Sequence, residues 1–253
     1  MNPDLIFGIF MALWLVIAVL AFIVLFKVPA PYGRYASGNW RYTIASKYGW
    51  LIMESPAVFI FAAWFLFGIY TQSLTAIIFL VMWESHYVYR TFIYPFTLRV
   101  KDKRMPYLIL ISALFFNIIN GTINGSYVFI ISGGYPDEWL SDVRFILGFS
   151  LFVIGFIINL FSDRILRNLR TPGETGYKIP QGGLFRWVSC PNYLGEIVEW
   201  AGWAIATWSI AGLAFAVWSA ANLIPRAISH HKWYQKQFPE YPPERKALFP
   251  GIW

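Results

Sequence analysis

From Leu5 to Phe26 the chain runs without one charged side chain, longer than the roughly 20 residues an α-helix needs to cross the apolar core of a bilayer. In water such a helix would have to be sheathed by other parts of the chain. Of the 253 residues here, 58% are hydrophobic and only 13% charged, which leaves too little polar surface for that cover. In a bilayer the helix satisfies its own backbone N–H and C=O groups. Counting this first run at 5–26, further apolar runs at 51–70, 73–94, 107–131, 144–162, 194–208 and 210–228 predict an all-α integral membrane protein. The predicted fold is seven transmembrane helices in one bundle.

Basic residues give an independent reading of topology, because short cytoplasmic loops collect Lys and Arg. Of the 20 basic residues, all but Arg90 and Arg144 fall into alternate loops or the tail. Loop one holds Lys27, Arg34, Arg41 and Lys47, and loop three holds Arg99, Lys101, Lys103 and Arg104. Loop five holds Arg164, Arg167, Arg170, Lys178 and Arg186; the tail adds Arg226, Lys232, Lys236, Arg245 and Lys246. The loop before Phe145 carries Asp137, Glu138 and Asp142 instead. The N-terminus is therefore expected outside and the C-terminus in the cytoplasm. This topology accounts for the net charge of +7 without nucleic acid as a partner. The host is a multi-pass location in a cytoplasmic (inner) membrane or the endoplasmic reticulum, with membrane lipids as neighbours and no protein partner inferred. The first run reads as a retained anchor, since no basic residue precedes it and no Ala-x-Ala site follows.

One cysteine, Cys190, excludes an intrachain disulfide and a Cys-rich metal site. His230 and His231 are adjacent but have no third ligand at suitable spacing, so no metal is expected. No internal repeat or flexible linker divides the chain, and 1–253 reads as a single domain. Between about Asp163 and Tyr193, Thr171, Pro172, Gly173, Pro180, Gly182 and Gly183 take the chain out of helix and form a basic loop.

An ionisable side chain in a span costs about 2.5–3.5 kcal/mol at the membrane centre, so each needs a partner or a purpose. Glu54, Glu84, His86, Tyr87, Arg90, Glu196 and Glu199 fall in or at the predicted spans. Residues three, four or seven apart share a helix face. By that rule Tyr87, Arg90 and Tyr94 align, as do Asn159, Asp163, Arg167 and Arg170. Asn192, Glu196 and Glu199 form a third stripe, and Arg226, His230 and Trp233 or Tyr234 a fourth. All are expected at the cytoplasmic helix ends. An Arg-rich pocket there suits a water-soluble phosphorylated ligand, because the guanidinium is planar, bidentate and permanently charged. A basic collar on anionic headgroups is the competing reading of Arg164 to Arg186. Asn159, Asp163 and Asn192 favour the pocket, since lipid attraction needs neither carboxylate nor amide. A Rossmann fingerprint is absent; Gly182-Gly183 alone does not make one.

The stretch Asn159-Leu-Phe-Ser-Asp163-Arg-Ile-Leu-Arg-Asn-Leu-Arg170-Thr-Pro-Gly-Glu-Thr-Gly-Tyr177-Lys-Ile-Pro-Gln-Gly-Gly-Leu-Phe185 closely resembles the steroid 5α-reductase (3-oxo-5-alpha-steroid 4-dehydrogenase) family. Ser189-Cys-Pro-Asn192-Tyr-Leu-Gly-Glu196-Ile-Val-Glu199-Trp, Ala206-Thr-Trp-Ser209, the run Arg226 to Tyr234, Tyr241-Pro and Arg245-Lys246 continue the likeness. Upstream, Glu54-Ser-Pro, His86-Tyr87 and Arg90-Thr-Phe fit as well.

The resemblance implies a seven-span enzyme that uses NADPH to reduce the carbon-carbon double bond of a 3-oxo-Δ4 steroid, or of a similar apolar enone entering from the bilayer. Residues 5–131 would shape the lipid pocket and 144–253 the main cofactor-binding half. By matching motifs, Tyr87 and Glu54 are the catalytic pair that meets the enone oxygen, with a protonated Glu54 able to donate. Donors aimed at that oxygen stabilise the enolate-like transition state. Arg90, Tyr94, Arg99, Arg104, Asn159, Asp163, Arg167, Arg170, Lys178, Asn192, Glu196, Arg226, His230 and Tyr234 are the expected cofactor-binding positions. The chain departs from the family pattern in the loop Arg99-Val-Lys-Asp-Lys-Arg-Met-Pro106, and in Lys178, where some relatives carry Arg.

Three alternatives stand beside this reading. One is reduction of another lipid alkene, such as a polyprenal or enoyl thioester. Another is a membrane methyltransferase similar to the isoprenylcysteine carboxyl methyltransferases, through Pro191-Asn-Tyr-Leu-Gly195, though Ser189-Cys190 replaces that family's Arg-His. The third is a transporter, for which neither repeat symmetry nor a pair of broken spans is present.

Overall fold

The computed structural model describes residues 3–29, 33–35, 40–69, 71–99, 103–171, 174 and 176–251. Lys101 of the basic third loop and Pro172 and Gly173 of the fifth lie outside the described residues. The long helices are α1 (Pro3–Lys27), α2 (Ser46–Leu66), α3 (Leu74–Val88), α5 (Tyr107–Ser126), α6 (Val143–Asn168), α7 (Pro191–Thr207) and α8 (Ile210–Gln237); the short α4 (Tyr94–Thr97) follows α3. Among the described residues, five helices are long and apolar enough to cross a membrane: α1, α2, α5 with its continuation to Ile131, α6 and α8. The shorter α3 and α7 have 15 and 17 residues. Several helices overrun the apolar segments predicted from sequence, α2 starting at Ser46 and α8 running on to Gln237. Backbone bonding propagates a helix regardless of side-chain polarity, and Lys and Arg at the ends reach toward water.

Helix is not the whole of the secondary structure. Strands β1 (Thr43–Ala45) and β2 (Arg104–Pro106) pair antiparallel, with Ile44 opposite Met105. Three-residue strands carry no periodic sequence signal, and so the sequence pointed to helix alone. The pair ties the start of α2 to that of α5, with further bonds from Ser46 N to Lys103 O (2.8 Å) and Tyr107 N to Tyr42 O (3.2 Å).

The chain forms two compact units. A central unit holds Pro31–Ile146 with Pro172–Glu174, and a terminal unit holds Met1–Ala30, Leu147–Thr171 and Thr175–Trp253.

In the central unit α5 lies close along α2, with Gly121 and Gly125 at the contact and Gly125 the position where a side chain would collide. A Cβ on Gly121 would stand 3.6 Å from Ala57 Cα, and one on Gly125 would stand 2.8 Å from the Trp64 side chain. Helices in lipid gain nothing from expelling water, so small residues that admit a neighbouring backbone drive their packing. Pro56 sits inside α2 and cannot donate to the carbonyl four residues back. The Ser55 hydroxyl takes up that orphan, donating to Ile52 O at 3.0 Å. Trp83 of α3 donates to Ala57 O at 2.9 Å, and its ring stacks on Phe61 at 4.4 Å.

After α3 the backbone widens into a π turn at Tyr89–Ile93 before α4. Pro95 explains the widening. In an unbroken α-helix its ring would collide with the carbonyl of Thr91, and a π turn moves that carbonyl aside.

In the terminal unit α6 and α7 approach through glycines seven residues apart, Gly148 and Gly155 against Gly195 and Gly202. A Cβ on Gly202 would lie 2.6 Å from Gly148 O. Helix α1 packs on α8 with a stripe of Met11, Trp14 and Ala18, and the Trp14 and Trp218 rings lie 4.8 Å apart. Its other faces expose Leu5, Leu13, Val16 and Val24, as suits contact with lipid. Between α7 and α8, Trp208 takes the left-handed conformation (φ 44°, ψ 45°) and ends α7. Ser209 then caps α8, its Oγ accepting from Gly212 N at 2.9 Å.

Candidate active site

Two clusters gather the chemistry-bearing residues, one in each unit. In the central unit the organising element is α5. It carries Asn117, Asn120 and Asn124 at i, i+3 and i+7, all buried, and such residues share a face. Asn117 Nδ2 donates to Met53 O at 2.7 Å and to Glu54 Oε2 at 3.2 Å. Asn120 Nδ2 donates to Tyr87 Oη at 3.4 Å, and Asn124 Nδ2 donates to Asn120 Oδ1 at 3.0 Å. One face of one helix thus holds both residues expected to meet a carbonyl oxygen. The close α2–α5 approach at Gly121 and Gly125 lets Asn117 reach the α2 backbone. Tyr87 is 3% exposed, against Trp83 at 4.9 Å and His86 at 5.1 Å between ring centroids.

The π turn gives Arg90 a separate setting. Its guanidinium lies 4.9 Å from the Trp50 ring and 4.5 Å from the Tyr94 ring. Arg90 and Tyr94 therefore come together, with Trp50 of α2 as a third member that no spacing rule singles out. Arg104 donates from Nε to Thr43 Oγ1 (2.6 Å) and from Nη2 to Thr43 O (2.8 Å), so part of its fork pins β1 to β2. Arg99 is exposed at the end of the same segment. Glu84 buries both carboxylate oxygens without a hydrogen-bond partner among the described residues.

In the terminal unit the three remaining stripes meet. Asn159 Nδ2 donates to Asn192 O at 3.0 Å and to Glu196 Oε2 at 3.4 Å, while Asn192 Nδ2 donates to Asp163 Oδ1 at 3.4 Å. Asn159 Oδ1 is buried with no hydrogen-bond partner among the described residues. Helix α8 joins through Tyr193, whose ring lies 5.6 Å from His230 and 5.9 Å from the Arg226 guanidinium. The Arg170 guanidinium stands 4.6 Å from the Tyr177 ring, which in turn packs 4.8 Å from Trp233. Tyr234 is buried, stacked on Tyr241 at 5.3 Å. Arg167 is part-buried near the end of α6, and Lys178 is exposed in the loop.

The tail holds that loop in place. Arg245, 3% exposed, donates to Pro180 O at 2.9 Å and Gln181 Oε1 at 2.7 Å. Ser189 Oγ lies 2.6 Å from both His231 Nδ1 and Tyr241 Oη, and Ser189 N donates to Lys246 O at 2.9 Å.

The asparagines of α5 and Trp50 escaped the sequence reading. Asn117, Asn120 and Asn124 had a usable signal, since three amides at helical spacing in an apolar segment are costly unless bonded. Trp50 had none.

The family model for 3-oxo-5-alpha-steroid 4-dehydrogenase matches residues 103–253. The chain is 42% identical to 3-oxo-5-alpha-steroid 4-dehydrogenase 1 of Bos taurus over 240 residues, 93% of each chain. It is 42% identical to a steroid 5-alpha-reductase of Solanum lycopersicum over 243 residues, 94% of each. With 3-oxo-5-alpha-steroid 4-dehydrogenase 2 of Sus scrofa it shares 43% over 232 residues, 90% of this chain and 89% of the relative. The chain belongs to the 3-oxo-5-alpha-steroid 4-dehydrogenase family, oxidoreductases acting on CH–CH groups.

Proposed function

We propose that this protein reduces the 4,5 double bond of a 3-oxo-Δ4 steroid, or of a similar enone lipid entering from the bilayer, at the expense of NADPH. The observation that carries the reading is the pairing of Glu54 and Tyr87 in one unit, each bonded to an asparagine of α5 at 3.2 and 3.4 Å. Both lie on apolar helices, where a proton-bearing oxygen acts in low dielectric and is worth more than in water.

The terminal unit suits a nicotinamide dinucleotide. Asn159 Oδ1, buried and lacking a hydrogen-bond partner among the described residues, is an acceptor for a carboxamide N–H. Arg167, Arg170 and Arg226 offer charge and planar donors to phosphates, with Asp163, Lys178, Asn192, Glu196, His230 and Tyr234 around them. Arg90, Tyr94 and Arg99 are further candidates from the central unit; Arg104, engaged with Thr43, has fewer donors to spare. When bound, a reduced nicotinamide would supply the hydride that the β-carbon of the enone takes up. Tyr87 and protonated Glu54 hold the carbonyl oxygen and share their protons with it as negative charge builds there. The alkene electron pair becomes the enolate, and a proton from solvent completes the α-carbon.

The whole chain works as one reductase domain in this reading. Helices α3 with α4 and α7 span the membrane along with the five longer helices, with the N-terminus outside and the basic loops and C-terminus cytoplasmic. The test is turnover by the purified protein in detergent, followed as NADPH oxidation with a panel of 3-oxo-Δ4 steroids and other enone lipids. Steroid-dependent oxidation with formation of the saturated ketone supports the assignment. Failure with every enone sinks it.

A further inference from the structure

The asparagines of α5 fix the direction of the hydrogen bonds as well as their place. A backbone carbonyl only accepts, so the Asn124 side-chain group 3.1 Å from Asn120 O is its NH2. That NH2 also lies 3.0 Å from the Asn120 side chain, which therefore presents its oxygen there. The other arm of the Asn120 amide, 3.4 Å from Tyr87 Oη, is then nitrogen, and it donates. A phenol oxygen that accepts from Asn120 has its one proton to give elsewhere. The Met53 carbonyl plays the same part for Asn117. At 2.7 Å it orients the NH2 group that also donates to Glu54 Oε2 at 3.2 Å.

We propose that Asn120, keyed by Asn124, is a positioning residue that directs the Tyr87 hydroxyl proton toward the substrate carbonyl. The inference rests on Tyr87 being the donor to the enone oxygen. It adds a direction and an electrostatic effect to that role. The amide N–H supports the partial charge left on the Tyr87 oxygen as its proton is shared with the developing enolate, so Asn120 acts more strongly in the transition state than before it. Asparagines between membrane helices also serve as plain adhesive. The two roles differ in one respect: an adhesive contribution does not depend on the Tyr87 hydroxyl, and a positioning one does.

A double-mutant cycle on the full-length protein in detergent separates them, with kcat and KM measured for wild type, Tyr87→Phe, Asn120→Leu and the double variant. Asn120→Leu lowers kcat about three- to tenfold, the effect of one hydrogen bond, with KM little changed. Added to Tyr87→Phe it causes no further loss, since the hydroxyl it directs has gone. Equal losses in both backgrounds overturn the positioning role.

Asn120→Asp keeps the shape of the side chain and guards against a variant that fails to fold. Its carboxylate accepts only and draws the Tyr87 proton to itself, so turnover falls at neutral pH and recovers as pH drops and the new acid regains a donating O–H. A loss indifferent to pH overturns the proposal. If Tyr87→Phe loses turnover while every Asn120 variant retains it, the positioning role alone falls. If Tyr87→Phe itself turns over like wild type, the carbonyl-donor reading beneath it falls too.

Discussion

Gly155 on α6 and Gly195 on α7 lie backbone against backbone, so that a Cβ on Gly155 would stand 2.5 Å from the Gly195 carbonyl oxygen. The obstacle is main chain, which no rotamer change can move. Gly195→Ala would place its methyl group 2.6 Å from Asn159 N, beside the contacts of Asn159 with Asn192 and Glu196. Overpacking of this kind costs about 1–3 kcal/mol. The expected outcome is a lower thermal midpoint in detergent together with weaker NADPH binding. Gly8, whose added Cβ would meet nothing within 4 Å, is the control, and Gly8→Ala should leave both unchanged.

In the proposed mechanism Tyr87→Phe removes one donor to the developing enolate and nothing from the terminal unit. Loss of one such donor costs about 10²–10³ in kcat in well-studied enzymes. Glu54→Gln keeps the size and the partner at Asn117 but exchanges a carboxylic O–H for a weaker amide donor, so a smaller loss is expected. Binding of NADPH, read by fluorescence or calorimetry, stays near the wild-type value in both. Wild-type turnover in both variants would refute the carbonyl contacts.

How much of this was legible in the sequence depends on how far apart the interacting residues lie in the chain. The long helices showed as apolar runs because a membrane imposes a length and a composition on each segment separately. The stripes Asn159–Asp163 and Asn192–Glu196 were visible as spacing, and the structure brings them into contact through Asn159 and Asn192. The spacing argument for Tyr87, Arg90 and Tyr94 assumed one uninterrupted α-helix, whereas a π turn runs through Tyr89–Ile93 and Arg90 meets Tyr94 across it; Pro95 was the available warning. The bonds from α5 to Glu54 and Tyr87 join residues 63 and 33 positions apart. Helical periodicity says nothing about partners at that separation, so the buried asparagines went unassigned.

Acid should loosen the connection between α5 and α6 before it affects the helices. Asp142 caps α6, accepting from Arg144 N at 2.8 Å, and pairs with the Arg144 guanidinium at 2.9 and 2.8 Å. The Arg144 side chain first, and its backbone N–H second, hold the Asp142 carboxyl down at about 2. Asp137 is lowered in the same direction, chiefly by the Ser73 hydroxyl and then by Thr75 N. For a group whose folded pKa lies below the unfolded value, about 3.9 for aspartate, the stabilisation is complete above that value and is lost as pH falls toward the folded one. Protection of the 132–142 segment in hydrogen exchange is therefore flat from neutrality down to about pH 5 and declines below pH 4. In Asp142→Asn this part of the decline is reduced, because no carboxylate remains to be protonated; an undiminished decline in that variant would assign the acid sensitivity elsewhere.

Arg245 is the tail's hold on the loop before α7. Its fork reaches Pro180 O at 2.9 Å and Gln181 Oε1 at 2.7 Å from a buried position, while Lys246 N bonds to Trp187 O and Ser189 N to Lys246 O, both at 2.9 Å. The same loop presents Tyr177 to Arg170 and Trp233, so a loosened loop disturbs residues proposed to hold the cofactor. Arg245→Lys keeps the charge but cannot span both acceptors with a rigid fork, and Arg245→Ala leaves the buried Pro180 carbonyl without its donor, a cost of about 1–3 kcal/mol. Faster proteolysis within residues 172–186 is expected in both variants, more in Arg245→Ala. The Michaelis constant for NADPH rises by more than kcat falls, because the chemistry assigned to Tyr87 and Glu54 resides in the other unit. A fall in kcat with the NADPH constant unchanged would instead tie the tail to the chemical step.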